Sequence, residues 1–193
     1  MPKYAGPEGR APMEQDQESE IVARVLQGER EVFTLLVEEY KAPIFNLAFR
    51  MTGNREDAGE LAQETFVRAY ANLVQFQADQ RFFTWLYTIS LNVVKNHQRR
   101  QSLWGRLIAD GSSRAAIRDQ GNNQETNLLE KEAQQMLQEA LLKLPYDQRA
   151  ALVLRYYEDL SFADIAKIAG LPESTIKMRV YRALEKLRTV MGE

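Results

Sequence analysis

Apolar residues recur along this chain at spacings of three and four, and no stretch of β-branched residues alternates as a strand would require. Ile21, Val22, Val25 and Leu26 make the first stripe, with Ser19 placed to cap it and Gly28 to end it. Val32, Phe33, Leu36, Val37 and Tyr40 predict a second helix over about 30–52, bending near Pro43. Gly53-Asn54 is a turn signal. Two further helices are expected over about 55–74 and 81–100, separated by a loop at 76–80.

After residue 100 the pattern lapses into GSSRAAIRDQGNNQ, with Leu103, Trp104, Leu107 and Ile108 as the last apolar anchors. Helical spacing resumes at Leu128 and Leu129, runs through Met136, Leu137, Ala140, Leu141 and Leu144, and breaks at Pro145. It starts again over Ala150–Tyr157 and closes with two short helices joined at Gly170-Leu171-Pro172. The prediction is an all-α chain of two small helical domains: a disordered tail over 1–17, a four-helix domain over 18–100, a flexible linker over 101–127 and a helical domain over 128–193.

With 193 residues and 45% apolar content, two modest cores are feasible. The absence of cysteine removes disulfides and thiolate metal sites, as suits a reducing cytoplasm. No apolar run reaches the ~20 residues of a membrane span, and no signal-peptide order opens the chain, so a soluble cytoplasmic protein without membrane insertion is expected. A net charge of -2 is unusual for a nucleic-acid binder, but it averages over a strongly uneven distribution. Residues 81–106 carry Arg81, Lys95, Arg99, Arg100 and Arg106 with no acid, and 173–188 carries Lys177, Arg179, Arg182, Lys186 and Arg188 against Glu173 and Glu185. Two local basic patches on an acidic chain point to two polyanion contacts.

Three constellations carry candidate chemistry. In SFADIAKIAGLPESTIKMRVYRALEKLR, Ser161 and Asp164 suggest a capping box and Gly170 supplies a turn. Ile176, Val180, Ala183, Leu184 and Leu187 then share one face, leaving Thr175, Lys177, Met178, Tyr181 and Arg182 outward. That is the pattern of a helix-turn-helix, whose second helix can enter a major groove. In RFFTWLYTISLNVVKNHQRR, Phe82, Trp85, Leu86, Ile89 and Val93 form a core stripe, while Thr88, Asn92, Lys95, Asn96 and Arg99 form a polar, acid-free face able to hold phosphates and base edges. On the third helix Asp57, Glu60, Gln63 and Glu64 share a side with no evident internal cation, and His97 is expected on an exposed face beside Arg99 and Arg100. Catalytic pairs, Walker or dinucleotide loops and cofactor motifs are absent, so neither an enzyme nor a cofactor is expected.

Together, DAGELAQETFVRAYANLVQF, FFTWLYTISLNVVKNHQRR and LLKLPYDQRAALVLRYYEDLSFADIAKIAGLPESTIKMRVYRALEKLR resemble the extracytoplasmic-function sigma factors, over about Ile21 to Arg188. The resemblance implies an alternative sigma factor with region 2 and region 4 domains and an intervening linker threading toward the active-site channel of the polymerase. It implies that Asp57, Glu60, Gln63 and Glu64 dock on the β' clamp helices of core RNA polymerase, with the β flap as a further contact. Unpaired bases of a promoter -10 element would be captured by the loop Phe76–Arg81, including Gln80, and by the helix bearing Asn92 and Lys95. The -35 element would be read by Ser174, Thr175, Lys177, Met178, Arg179, Tyr181 and Arg182. An anti-sigma factor is implied as regulator. Met178, where a small or polar residue is more usual, and the glycine-free Gln77–Gln80 loop bear on which promoter is read. A dimeric helix-turn-helix repressor would leave the FFTWLY helix and the acidic helix without purpose, and a carboxylate metalloenzyme would need Glu-x-x-His pairs that the single His97 cannot supply.

Overall fold

The computed structural model describes residues 13–77, 79–108 and 128–192. Eight α-helices and two short 3₁₀ turns make up the described residues, in the order α1 (Gln15–Leu26), α2 (Phe33–Thr52), α3 (Arg55–Ala71), α4 (Phe82–Ile108), α5 (Leu128–Leu142), α6 (Tyr146–Tyr156), α7 (Phe162–Ala169) and α8 (Glu173–Met191). None of these helices is long and apolar enough to cross a membrane.

α1 to α4 form the first bundle. Leu36, Tyr40, Ile44, Leu47 and Met51 of α2 pack against Ala58, Leu61, Ala62 and Ala69 of α3 and against Phe82 and Leu86 of α4. α2 runs unbroken through Pro43, which is buried within it. Gly53 ends α2 at φ 73°, and Asn54 starts α3 by accepting hydrogen bonds from the backbone N–H groups of Glu56 and Asp57. The helix boundaries differ from expectation most at two places. α1 begins at Gln15, where Glu14 and Gln17 make a capping box, so Ser19 lies in its second turn and the expected 1–17 tail already turns helical at its end. The reason is tertiary: Glu18 is fully buried, accepting from the Tyr40 hydroxyl and, at 2.9 Å, from the Phe82 N–H. α4 continues to Ile108, eight residues into the expected linker, while 109–127 lie outside the described residues, as do 1–12 of the tail.

α5 to α8 form the second bundle, around Leu141, Leu144, Leu152, Ala183 and Leu187. It packs on the first. One buried cluster runs from Ile21 to Val180, because α4 is covered on two faces. The predicted stripe of Phe82, Leu86 and Val93 faces the first core, and Phe83, Tyr87, Ser90 and Val94 make a second buried row toward the other half. Between the halves, the Arg149 guanidinium donates to the carbonyl of Met51, while also donating at 3.1 Å to Leu144 in its own half, and Gln138 Nε2 donates to the carbonyls of Phe49 and Arg50. The Cβ that any other residue would place at Gly53 lies 2.5 Å from a methyl of Leu142, so the two halves meet closely there.

Candidate nucleic-acid interface

α7 and α8 meet in the expected helix-turn-helix. Ser161 Oγ accepts from the Asp164 N–H at 3.0 Å and donates to its carboxylate at 2.6 Å, which fixes the start of α7. Gly170 turns the chain at φ 63°. Ile176, Val180, Ala183 and Leu187 are buried, which aims Ser174, Lys177, Met178, Tyr181 and Arg182 into solvent. Met178 and Tyr181 are half or more exposed, an open apolar surface between cations. Lys177 is tethered to Glu173 at 2.7 Å, one turn back. Arg179 departs from the row: it is only 27% exposed, with its guanidinium 3.2 Å from Asp147 of α6, and Thr175 is half-buried.

The acid-free face of α4 is divided. Asn96 and Arg99 are exposed. Thr88, half-buried, lies within hydrogen-bond reach of the carbonyls of Thr84 (2.9 Å) and Ile168 (3.2 Å), the latter in α7. Thr88, Asn92 and Lys95 line a cavity of ≈ 110 Å³ together with Tyr146, Asp147 and Arg179. The Lys95 ammonium sits 5.8 Å from the Tyr146 ring, and the Tyr146 hydroxyl donates to the Leu91 carbonyl at 2.6 Å. Burial pushes the Tyr146 phenol well above its ordinary value, so it stays a donor. Residues expected at two different promoter elements thus share one cleft. In the preceding loop, Phe76 packs edge-on to both Phe82 and Trp85, each at 5.6 Å, and is a packing residue in this arrangement. Gln80 is half-buried, and Arg81 lies over the Phe83 ring at 4.7 Å.

On α3 the acids are not without cations. His97, expected to be exposed, has its side chain only 19% exposed and its Nε2 is 3.5 Å from Asp57, which also accepts from Gln101. Glu64 pairs with Arg68 at 2.6 Å and lies 4.0 Å from Arg100. These α4 partners are available because residues 97–104 of α4 lie beside α3. Glu60 and Gln63 remain exposed. Glu60, Glu64, His97 and Arg100 line an open groove together with Trp104, which is 64% exposed and was legible in the sequence only as a linker anchor.

Two buried ionisable groups were not singled out from the sequence. Glu158, in the turn after α6, is 6% exposed and accepts from the Tyr87 hydroxyl of α4 at 2.6 Å. Burial pushes its carboxyl up to about 7, against the opposing pull of the Tyr87 hydrogen bond and of Arg50. Arg149 has its guanidinium pKa lowered by burial. Arg149 stands beside the apolar run Ala150–Leu154, whereas Glu158 is buried by a row of α4, Phe83, Tyr87, Ser90 and Val94, that reads in the sequence as an ordinary flank.

Residues 36–103 match the family model for sigma-70 region 2, and residues 134–187 match that for sigma-70 region 4. The RNA polymerase sigma-H factor of Pseudomonas aeruginosa is 34% identical over 183 residues, covering 90% of this chain and 93% of its own. The ECF RNA polymerase sigma factor SigW of Bacillus subtilis is 31% identical over 183 residues, covering 86% and 92%. Among solved structures, the sigma factor RpoE in complex with the anti-sigma factor NepR from Bartonella quintana superposes with a TM-score of 0.68 at 26% identity, over 83% of this chain and 96% of that one. CnrH in complex with the cytosolic domain of CnrY shares the fold, with a TM-score of 0.68 at 21% identity over 93% and 98%.

Proposed function

The chain belongs to the sigma-70 family, in its extracytoplasmic-function group, and we propose that this alternative sigma factor works through three surfaces of its own: α3 for core polymerase, α4 for the -10 element and α8 for the -35 element. It acts by binding, with no reaction of its own, in the cytoplasm where polymerase and promoter are. Glu60 and Gln63, exposed on α3, and the partly covered Asp57 and Glu64 offer an acidic strip to the β' clamp helices, while the second half reaches the β flap. Asn92, Lys95, Asn96 and Arg99, with Thr88 and the Gln80–Arg81 corner, supply amide and cationic groups to an unpaired strand. Ser174, Lys177, Met178, Tyr181 and Arg182 project from the first turns of α8, the part of a recognition helix that enters the groove. An anti-sigma factor of the kind bound to the Bartonella quintana neighbour is the regulator this reading calls for.

The observation that carries the reading is the pair of region matches in family order, the second ending in a helix-turn-helix whose outer face is cationic. Reconstituting the full chain with core RNA polymerase and sequencing the transcripts tests it. Start sites lying downstream of one shared pair of sequence elements are expected. Initiation no more selective than that of core polymerase alone would reject it.

A further inference from the structure

α3 and the far end of α4 face each other in two rows. Asp57, Glu60, Leu61 and Glu64 recur at three-and-four spacing on one helix, and His97, Arg100, Gln101 and Trp104 on the other. The polar members pair across the gap: Asp57 with His97 at 3.5 Å and with Gln101 at 3.4 Å, and Glu64 with Arg100 at 4.0 Å. Two members have no such counterpart. Glu60 is exposed and enters no ion pair or hydrogen bond among the described residues, and Trp104 is 64% exposed with no ring contact among them. Both line the same open groove of ≈ 560 Å³.

Tryptophan carries a large apolar surface that folding normally covers, and it is enriched among the few residues that dominate binding energy at protein interfaces. The groove's chemistry selects what would cover it here. Its inner acids are countered by His97, Arg68 and Arg100, so the charge left over is the Glu60 carboxylate, and the apolar wall is the open indole. A guanidinium on an aliphatic stem satisfies both at once, donating to the carboxylate while its plane lies on the ring. Lysine supplies the charge without the flat donor face, and an acidic or purely apolar segment leaves Glu60 unmatched.

We infer that this groove is a socket in the polymerase dock, in which an arginine from a helix of core RNA polymerase lies between the Glu60 carboxylate and the Trp104 ring. The inference rests on the reading of α3 as the dock and extends it onto α4, to a residue outside the acidic strip. Continuity favours this occupant. Glu60 is the unpaired charge that α3 presents, and Trp104 stands beside it from a second element, so one helix laid along α3 meets both. The continuation of α4 past residue 100 thereby belongs to the interface as well as to the connection between the halves.

Affinity of the full chain for core RNA polymerase, titrated without DNA, tests it. Trp104→Ala should weaken binding about 5- to 30-fold, as an interface residue that acts through its ring does, and Trp104→Phe should recover part of the loss. Glu60→Gln should weaken binding too. The double variant should lose at least about threefold less than the product of the two single losses, because both groups act on one cation. Far-ultraviolet dichroism should be the same for every variant, since both positions are exposed. In the free chain, acrylamide should quench a component of the tryptophan emission that disappears in Trp104→Ala, the other tryptophan, Trp85, being half-buried. Parent affinity in Trp104→Ala, or losses that simply multiply in the double variant, overturns the inference. So does a Trp104 component already shielded in the free chain, which would mean that residues 109–127 of the same chain fill the groove. Core affinity kept but promoter affinity of the holoenzyme lost in Trp104→Ala would put the indole on a nucleobase, and overturns it as well. If Trp104→Ala is silent while Glu60→Lys still weakens binding, the dock on α3 stands without the socket; if both are silent, the dock itself falls.

Discussion

Glu18 ties three elements together from one buried carboxylate: it sits in α1, accepts from Tyr40 of α2 and accepts from the first N–H of α4. Burial raises its pKa, so much of its value lies in accepting hydrogen bonds rather than in charge. Glu18→Ala should lower unfolding stability by about 1–3 kcal/mol, the cost of donors left without an acceptor, whereas Glu18→Gln should retain most of it. Urea titration followed by dichroism distinguishes the two. At α8 the residue of interest is Arg182, exposed one turn beyond Met178. If it reads a base, Arg182→Ala should cost about 1–3 kcal/mol at the preferred -35 sequence and flatten discrimination there. If it touches phosphate, binding should weaken evenly across sequences and the salt slope should fall by about one. Holoenzyme binding to a panel of -35 variants at several salt concentrations reads either outcome.

Among the elements, α3 shows how a helix can serve two masters on one face. Glu64 is paired with Arg68 and lies near Arg100, and Asp57 accepts from Gln101 and faces His97, so the charge offered to a partner is concentrated at Glu60 rather than spread over Asp57, Glu60 and Glu64. Glu60→Lys should therefore weaken binding to core polymerase, each lost charged hydrogen bond being worth about 1.5–3 kcal/mol, with helicity unchanged. Equal affinity of the variant and the parent for core in a titration would remove α3 as the dock. The start of the same helix depends on one side chain. Asn54→Ala deletes the acceptor for two backbone N–H groups and should cost about 1 kcal/mol, measurable as a lowered melting temperature.

For the whole molecule, the buried cluster that spans both halves should make unfolding a shared event. Arg149 is the main polar bridge, donating across the boundary to the C-terminal carbonyl of α2 at Met51 and back to Leu144 in its own half. Arg149→Met keeps most of the stem volume but leaves buried carbonyls without their donor, at a cost of about 3 kcal/mol. Calorimetry should show a single transition for the parent and two for the variant, one for each half. A variant that still melts in one step at the parent's temperature would mean that the bridge contributes nothing to coupling.

The hydrophobic periodicity by itself determined that the chain is helical, where most helices lie and that the last two make a helix-turn-helix, because each of these follows from local spacing, a glycine and a cap. The split charge pattern likewise marked the cationic face of α8 and the acid-free face of α4. What tertiary structure alone decided were the features whose partners are distant in sequence. α1 starts early because Glu18 is held by residues 22 and 64 positions away. His97 is covered because Asp57 lies opposite it, 40 positions back in the chain. Phe83, Tyr87 and Val94 read as an ordinary flank of α4, and only the second half of the chain, packed over them, turns that flank into core and Glu158 into a buried acid. A helix announces one apolar stripe through its own period, but which of its remaining faces is also covered depends on a surface contributed from elsewhere, and that no local pattern encodes.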